Sequence, residues 1–294
     1  MTETDTRPAL ETQRSHAEKQ ARPNLEKWRQ AAEHKAEEKL DADAMAAINE
    51  TVRAIDAIAA GNAKEALQMI ERATGKVDVA IARNPKLARI PVRTEALILD
   101  AAPADMGEIR RLADLAEAAV SVEDYPGARS LLDALRSEIR IRTWYLPLVD
   151  FPTALRDAAA LLDGDREAAG KALLAALRTL IASDRVMPIP LLLAQEPVEH
   201  AQMLTAKDKD AAQEELDRAR FALNRAKALG YRRQDTEYET LKSQIEILRK
   251  QLRGSGDTAS SFHKLIQNLT AFVKRQSERS TPSPNQSPST SKAA

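Results

Sequence analysis

The chain has no cysteine, so disulfides, thiol catalysis and cysteine-based metal sites are excluded. Aromatic residues make up 3% of its 294 positions and there are only 9 glycines. A core so poor in aromatics must be built from Ala, Leu, Ile and Val, and so few glycines argue against a turn-rich β fold. Neither sign of charge is in excess: 44 Lys and Arg face 44 Asp and Glu, for a formal net charge of zero. Nucleic-acid binders draw most of their affinity from a basic excess, so no nucleic-acid partner is expected. No run approaches the ~20 apolar residues of a membrane-spanning helix, so no membrane insertion is expected. Residues 1–20 are polar and charged, with no apolar stretch of signal-peptide length, which makes the cytoplasm the expected compartment.

Hydrophobic residues amount to 43%. That suffices for one large domain or two small ones. The abundance of Ala, Leu, Glu, Lys and Arg favours helix, because these side chains lose little rotamer freedom there. The predicted fold is mainly α, a bundle of helical hairpins with a small two- or three-stranded β element at proline-rich joints. Residues 1–22 read as a disordered N-terminal extension and 23–253 as the helical domain. Residues 254–276 read as a linker with a short amphipathic helix, and the Ser-, Pro- and Thr-rich 277–294 as a disordered tail.

Within the helical domain, Met45, Ile48, Val52, Ile55 and Ile58 recur at three and four residues and predict one apolar helix face, ended by Gly61. Leu67, Ile70, Val77 and Ile81 predict the face of a second helix stopping near Asn84-Pro85, which makes an αα-hairpin. Three later segments repeat the device around Tyr125, Gly164 and Asp208. Their spacing is too irregular for a solenoid. Between the hairpins, residues 89–103, 138–152 and 185–194 have another character. Ile139 and Ile141 alternate with Arg140 and Arg142, a period of two that suits a strand, and Leu97 and Leu99 alternate similarly. Pro91, Pro147, Pro152, Pro188 and Pro190 argue against helix through these joints. Farther on, Tyr238, Leu241, Ile245, Leu248 and Leu252 form a narrow seam of coiled-coil type, the candidate for contact between copies. Phe262, Leu265, Ile266, Leu269 and Val273 outline one more short helix.

Several of these pieces occur in an order that resembles the YfdX family of bacterial proteins. They are AGNAKEAL at 60–67, IPV at 90–92, EIRIRTWYLPL at 138–148, LLDGD at 161–165, MPIPLLLA at 187–194 and ALGY at 228–231, within a span of roughly residues 40–253. The resemblance implies a helical, oligomeric protein associated with bacterial stress responses, including acid and drug stress. It brings no catalytic residues with it. Many resembling proteins are exported to the periplasm, and this chain departs from them in its N-terminal segment and its extensions.

Direct signs of chemistry are sparse. His16, His34, His200 and His263 are far apart, and Glu199 and His200, being adjacent, point about 100° apart on a helix. No metal site and no cofactor are expected. No nucleophile elbow, zinc-protease motif or phosphate loop occurs. The turns GNAKEA at 61–66 and GDRE at 164–167 read as helix connections. Asp163, Asp165, Asp208 and Asp210 read as helix caps rather than as calcium ligands or acid–base pairs. The cluster that stands out is Arg140, Arg142, Trp144 and Tyr145, since arginine beside scarce aromatics marks interfaces and ligand pockets. The same residues also suit a packing role, with the aromatics filling the seam between sheet and helices and the arginines pairing with carboxylates such as Glu95. The function these features predict is non-enzymatic: a stress-associated protein that forms homo-oligomers and binds a protein partner or small ligand. The alternative is a helical-repeat-like interaction adaptor.

Overall fold

The computed structural model of the chain describes residues 24–231, 235–254, 258–278 and 280–282. Helix α1 covers residues 24–37. It is followed by α2 (Ala42–Ala59), α3 (Ala63–Arg83), β1 (Arg89–Asp100), α4 (Met106–Ser121), α5 (Tyr125–Ala134) and β2 (Ser137–Pro147). Then come α6 (Asp150–Leu161), α7 (Arg166–Arg178), β3 (Ile181–Pro188), α8 (Ile189–Leu192), α9 (Gln195–Leu204) and α10 (Lys209–Ala228). The series closes with α11 (Glu237–Arg253), α12 (Ala259–Glu278) and β4 (Ser280–Pro282). The fold is therefore mainly α with a small sheet.

The hairpins α2–α3, α4–α5, α6–α7 and α9–α10 share one local device. In each, an Asn or Asp ends the turn and accepts a hydrogen bond from a backbone N–H in the first turn of the second helix. Asn62 caps Glu65 at 3.2 Å, Asp124 caps Gly127 at 3.0 Å, Asp165 caps Ala168 at 2.9 Å, and Asp208 caps Ala211 at 3.0 Å. The capping role expected of Asp165 and Asp208 is thus present, and it satisfies donors that an uncapped helix leaves open.

The strands lie in the order β1-β2-β3-β4. The β1–β2 register is antiparallel. Ser137 Oγ donates to Asp100 Oδ1 at 2.7 Å, Thr94 Oγ1 meets Thr143 Oγ1 at 3.4 Å, and Leu148 N–H donates to the Ala88 carbonyl at 3.0 Å. Ile139 and Ile141 are buried and Arg140 and Arg142 half-buried, as a period of two requires. Two of the five prolines behave differently from expectation. Pro152 and Pro190 sit in the first turns of α6 and α8, where a missing N–H removes no helical hydrogen bond. The tail also departs from its composition: α12 continues to Glu278, and Ser280–Pro282 form β4. Residues 1–23 and 283–294, including the expected N-terminal extension and His16, lie outside the described residues.

The chain divides into two compact units built from non-contiguous stretches, rather than one contiguous helical domain over 23–253. One unit contains Leu97–Arg140 and Arg185–Arg279, and the other Gln30–Ala96 and Ile141–Asp184. We call them the first and second unit.

In the second unit α2 packs on α3 and α7, and α3 packs on α6. Its core is alanine-rich: Ala44, Ala47, Ala54, Ala66, Ala73, Ala80, Ala158, Ala169 and Ala176 are all fully buried. Here the predicted face of α2 is corrected. The buried stripe is Ala44, Ala47, Thr51, Ala54 and Ala57, while Met45 and Val52 are exposed and Ile48, Ile55 and Ile58 are partly buried beside the core. Small side chains let helix backbones approach closely, so the larger residues are displaced to the margins of the contact. The shift in α3 is similar: Ala66, Ala73 and Ala80 join Ile70 and Val77 in the core, and Leu67 is exposed.

The first unit uses larger side chains. Helix α11 packs between α10 and α12, and the rings of Tyr238 and Phe272 meet edge to face with centroids 5.0 Å apart. The seam residues Tyr238, Leu241, Ile245, Leu248 and Leu252 are all at most 1% exposed within the single chain. They are therefore already covered by their own subunit and are not available to a second copy, which corrects their assignment as an oligomer seam. Two heptads are too short to hold a separate coiled coil, and α12 supplies the nearer apolar partner.

Candidate functional site

The predicted cluster on β2 is engaged in packing. Arg142 makes a bidentate ion pair with the buried Asp184, Nε to Oδ1 at 2.7 Å and Nη2 to Oδ2 at 2.8 Å. The hydrogen bond to Asp184 is the main reason that the Arg142 guanidinium is held charged above its ordinary value. Its principal partner is thus Asp184, while Glu95 lies by Arg93 at 3.7 Å. Arg93 stacks 4.8 Å over Trp144, and Arg89 lies 4.9 Å over Tyr145. Trp144 is half-buried and packs against the alanine-rich core. These contacts belong to the second unit. Arg140 is engaged in the first, where its Nη2 pairs with Glu138 Oε1 at 2.5 Å.

Glu138 and Ser137 open a buried polar network in the first unit. Tyr231 Oη donates to Glu138 Oε2 at 3.1 Å and accepts from the Ser137 N–H at 2.9 Å. Burial, reinforced by the Glu138 carboxylate, pushes the Tyr231 phenol well above its ordinary value, so it stays protonated. Gly230, at φ +85°, allows the turn after α10 that sets this phenol, and Tyr238 Oη donates to the Tyr231 carbonyl at 2.6 Å. The network ties the start of β2 to the end of α10. Sequence reasoning noticed ALGY only as a resembling motif; a tyrosine following a helix-ending glycine was the available signal.

Two further surfaces were not singled out from the sequence. The first is the hairpin α4–α5. Its buried residues are Ile109, Ala116 and Ala128 alone. Leu115, Val120, Val122, Tyr125 and Leu132 are exposed, Val122 by 75% and Tyr125 by 60%. The second is a cleft of about 550 Å³ in the first unit between α4 and α10. Met106, Arg110, Ala113 and Asp114 line one wall, and Phe221, Asn224, Lys227 and Ala228 the other. Lys227 pairs with Glu239 at 2.6 Å, and hydrogen bonds from Lys227 and Lys242 pull that carboxyl down to about 2. Among the described residues, no group of three or more His, Asp or Glu is placed to hold a metal ion, and no helix is long and apolar enough to cross a membrane.

Helical hairpins separated by strands of one small antiparallel sheet define the class of this protein. Residues 47–186, from α2 into β3, match the YfdX protein family. The match ends before MPIPLLLA and ALGY, so it is narrower than the span of resemblance read from the sequence. A solved structure of Salmonella Typhi YfdX is similar at 14% identity, over 51% of this chain and 93% of that one, with a TM-score of 0.35. No curated protein matches the chain.

Proposed function

We propose that this protein is a non-enzymatic, cytoplasmic, stress-associated protein that acts by self-assembly and by binding a partner or small ligand. The observation that carries the reading is the α4–α5 hairpin, whose five large apolar side chains stand in solvent. Clustered exposed apolar residues mark interaction surfaces, and a second copy is the occupant that is always at hand. The buried and half-buried titratable groups support a structural role for the interior. Glu138, Tyr231, Arg142 and Asp184 are each held by partners that join secondary-structure elements.

Light scattering over a dilution series, at neutral and acid pH, tests this. An oligomer that Val122→Asp with Tyr125→Ser dissociates at unchanged helicity supports the reading. A strict monomer under all conditions overturns self-assembly and moves the assignment to an interaction adaptor.

A further inference from the structure

We infer that the cleft between α4 and α10 binds a small zwitterion carrying an aromatic ring. The inference deepens the ligand-binding half of the proposed function and rests on it. Phe221 is 46% exposed on the cleft wall, whereas Phe151, Phe262 and Phe272 are all fully buried. In a chain so poor in aromatics, a phenylalanine left half open, with Met106 on the facing wall, offers a ring and a thioether to a flat apolar body. Across from it, Arg110 and Asp114 stand one helical turn apart, a spacing at which opposite charges commonly pair. They form no ion pair with each other or with any other described residue. The half-buried Asn224 also makes no side-chain hydrogen bond among the described residues. Lys227, by contrast, is occupied by Glu239.

The cleft therefore presents one free cation, one free anion, one free amide and an aromatic face. Its volume lies within the range of small-molecule sites. A ligand bearing a carboxylate and an ammonium answers both charges. A ligand with only one leaves the other facing its own like charge or an apolar group, and this sets the selectivity. The α4 wall, with Arg110 and Asp114, lies within the family match at 47–186, and Phe221 and Asn224 lie beyond it.

The test is saturation-transfer NMR on the full chain with three probes: L-tryptophan, tryptamine and indolepropionate. Tryptophan is expected to bind about fivefold tighter than either singly charged analogue. Arg110→Gln should remove its advantage over tryptamine, and Asp114→Asn its advantage over indolepropionate. Phe221→Ser should weaken all three. Should Phe221→Ser lose helicity, the two exposed charge variants still decide the matter. Equal binding of the probes, selectivity unchanged in both charge variants, or no saturable binding at millimolar concentration overturns the site. Light scattering on the same samples separates the two claims: an intact oligomer without tryptophan binding refutes the cleft alone, and a monomer that binds tryptophan selectively refutes self-assembly alone.

Discussion

The hairpins α2–α3 and α4–α5 begin from the same local instructions and end in opposite environments. Asp41 and Asp105 cap their first helices, and Asn62 and Asp124 cap their second. In both turns the residue before the second cap has positive φ: Gly61 at 78° and Glu123 at 60°. Yet α2–α3 buries ten side chains, mostly alanine, whereas α4–α5 buries three. Capping fixes where a helix starts, and the partner helices fix which face disappears. An alanine stripe in α2–α3 is an intramolecular contact. On α4–α5 the apolar excess is left outside, with Leu115, Val120, Val122, Tyr125 and Leu132 exposed.

The largest effect expected from this contrast is in the cores. Ile70→Ala in α3, at a site only 2% exposed, should cost about 2–5 kcal/mol in urea denaturation. Leu132→Ala in α5, at a site 54% exposed, should stay within about 0.5 kcal/mol at low protein concentration. A comparable loss at Leu132 would mean that the α4–α5 surface is covered in the dilute protein, and the contrast would collapse. The caps sharpen the comparison from the other side. Asn62→Ala and Asp124→Ala should each cost about 1 kcal/mol despite the difference in burial, because each removes one hydrogen bond to a helix start.

The turns should respond with opposite signs. Gly61→Ala places a Cβ in left-handed backbone and should cost about 1 kcal/mol, while Glu123→Gly relieves the same strain and should add a few tenths to about 1 kcal/mol. A neutral Glu123→Gly would show that the α4–α5 turn relaxes in solution. The smallest effect concerns acid. The hydrogen bond from Arg111 holds the Glu108 carboxyl in α4 below its ordinary 4.5. Its folded value is depressed, so its contribution is present above pH 4.5 and is lost as pH falls toward the lower folded value. Glu108→Gln should lower stability slightly at neutral pH, leave it unchanged below the folded value, and so flatten the acid limb of the thermal melts. A steeper limb in the variant would contradict this sign.

Much of the fold is legible from local chemistry. The period of two around Ile139 and Ile141 marks β2, the Asp and Asn residues mark helix starts, and the Tyr238–Leu252 seam marks an apolar helix face. The buried face of α2 is not legible in the same way. Hydropathy weights Met45 and Val52 above Ala44 and Ala47, although close helix packing rewards the smaller residue. The seam was read correctly as apolar but not as to its partner, since α12 lies beyond a linker. Arg142 and Asp184 are 42 positions apart, and Ser137 and Tyr231 are 94 apart, so neither pairing leaves a local trace. The α4–α10 cleft, likewise, joins residues more than 100 positions apart.

By itself the sequence determined the helices, their caps, the strand-like joints and the absence of thiol chemistry, because these depend on neighbours within about one helical turn or one strand repeat. Only the tertiary structure decided that alanines rather than larger residues line the second unit's core, that the α11 seam is closed by its own chain, and that α4–α5 and the cleft beside it remain open. Burial is a property of what packs against a face, and that depends on contacts between distant segments that local sequence pattern does not encode.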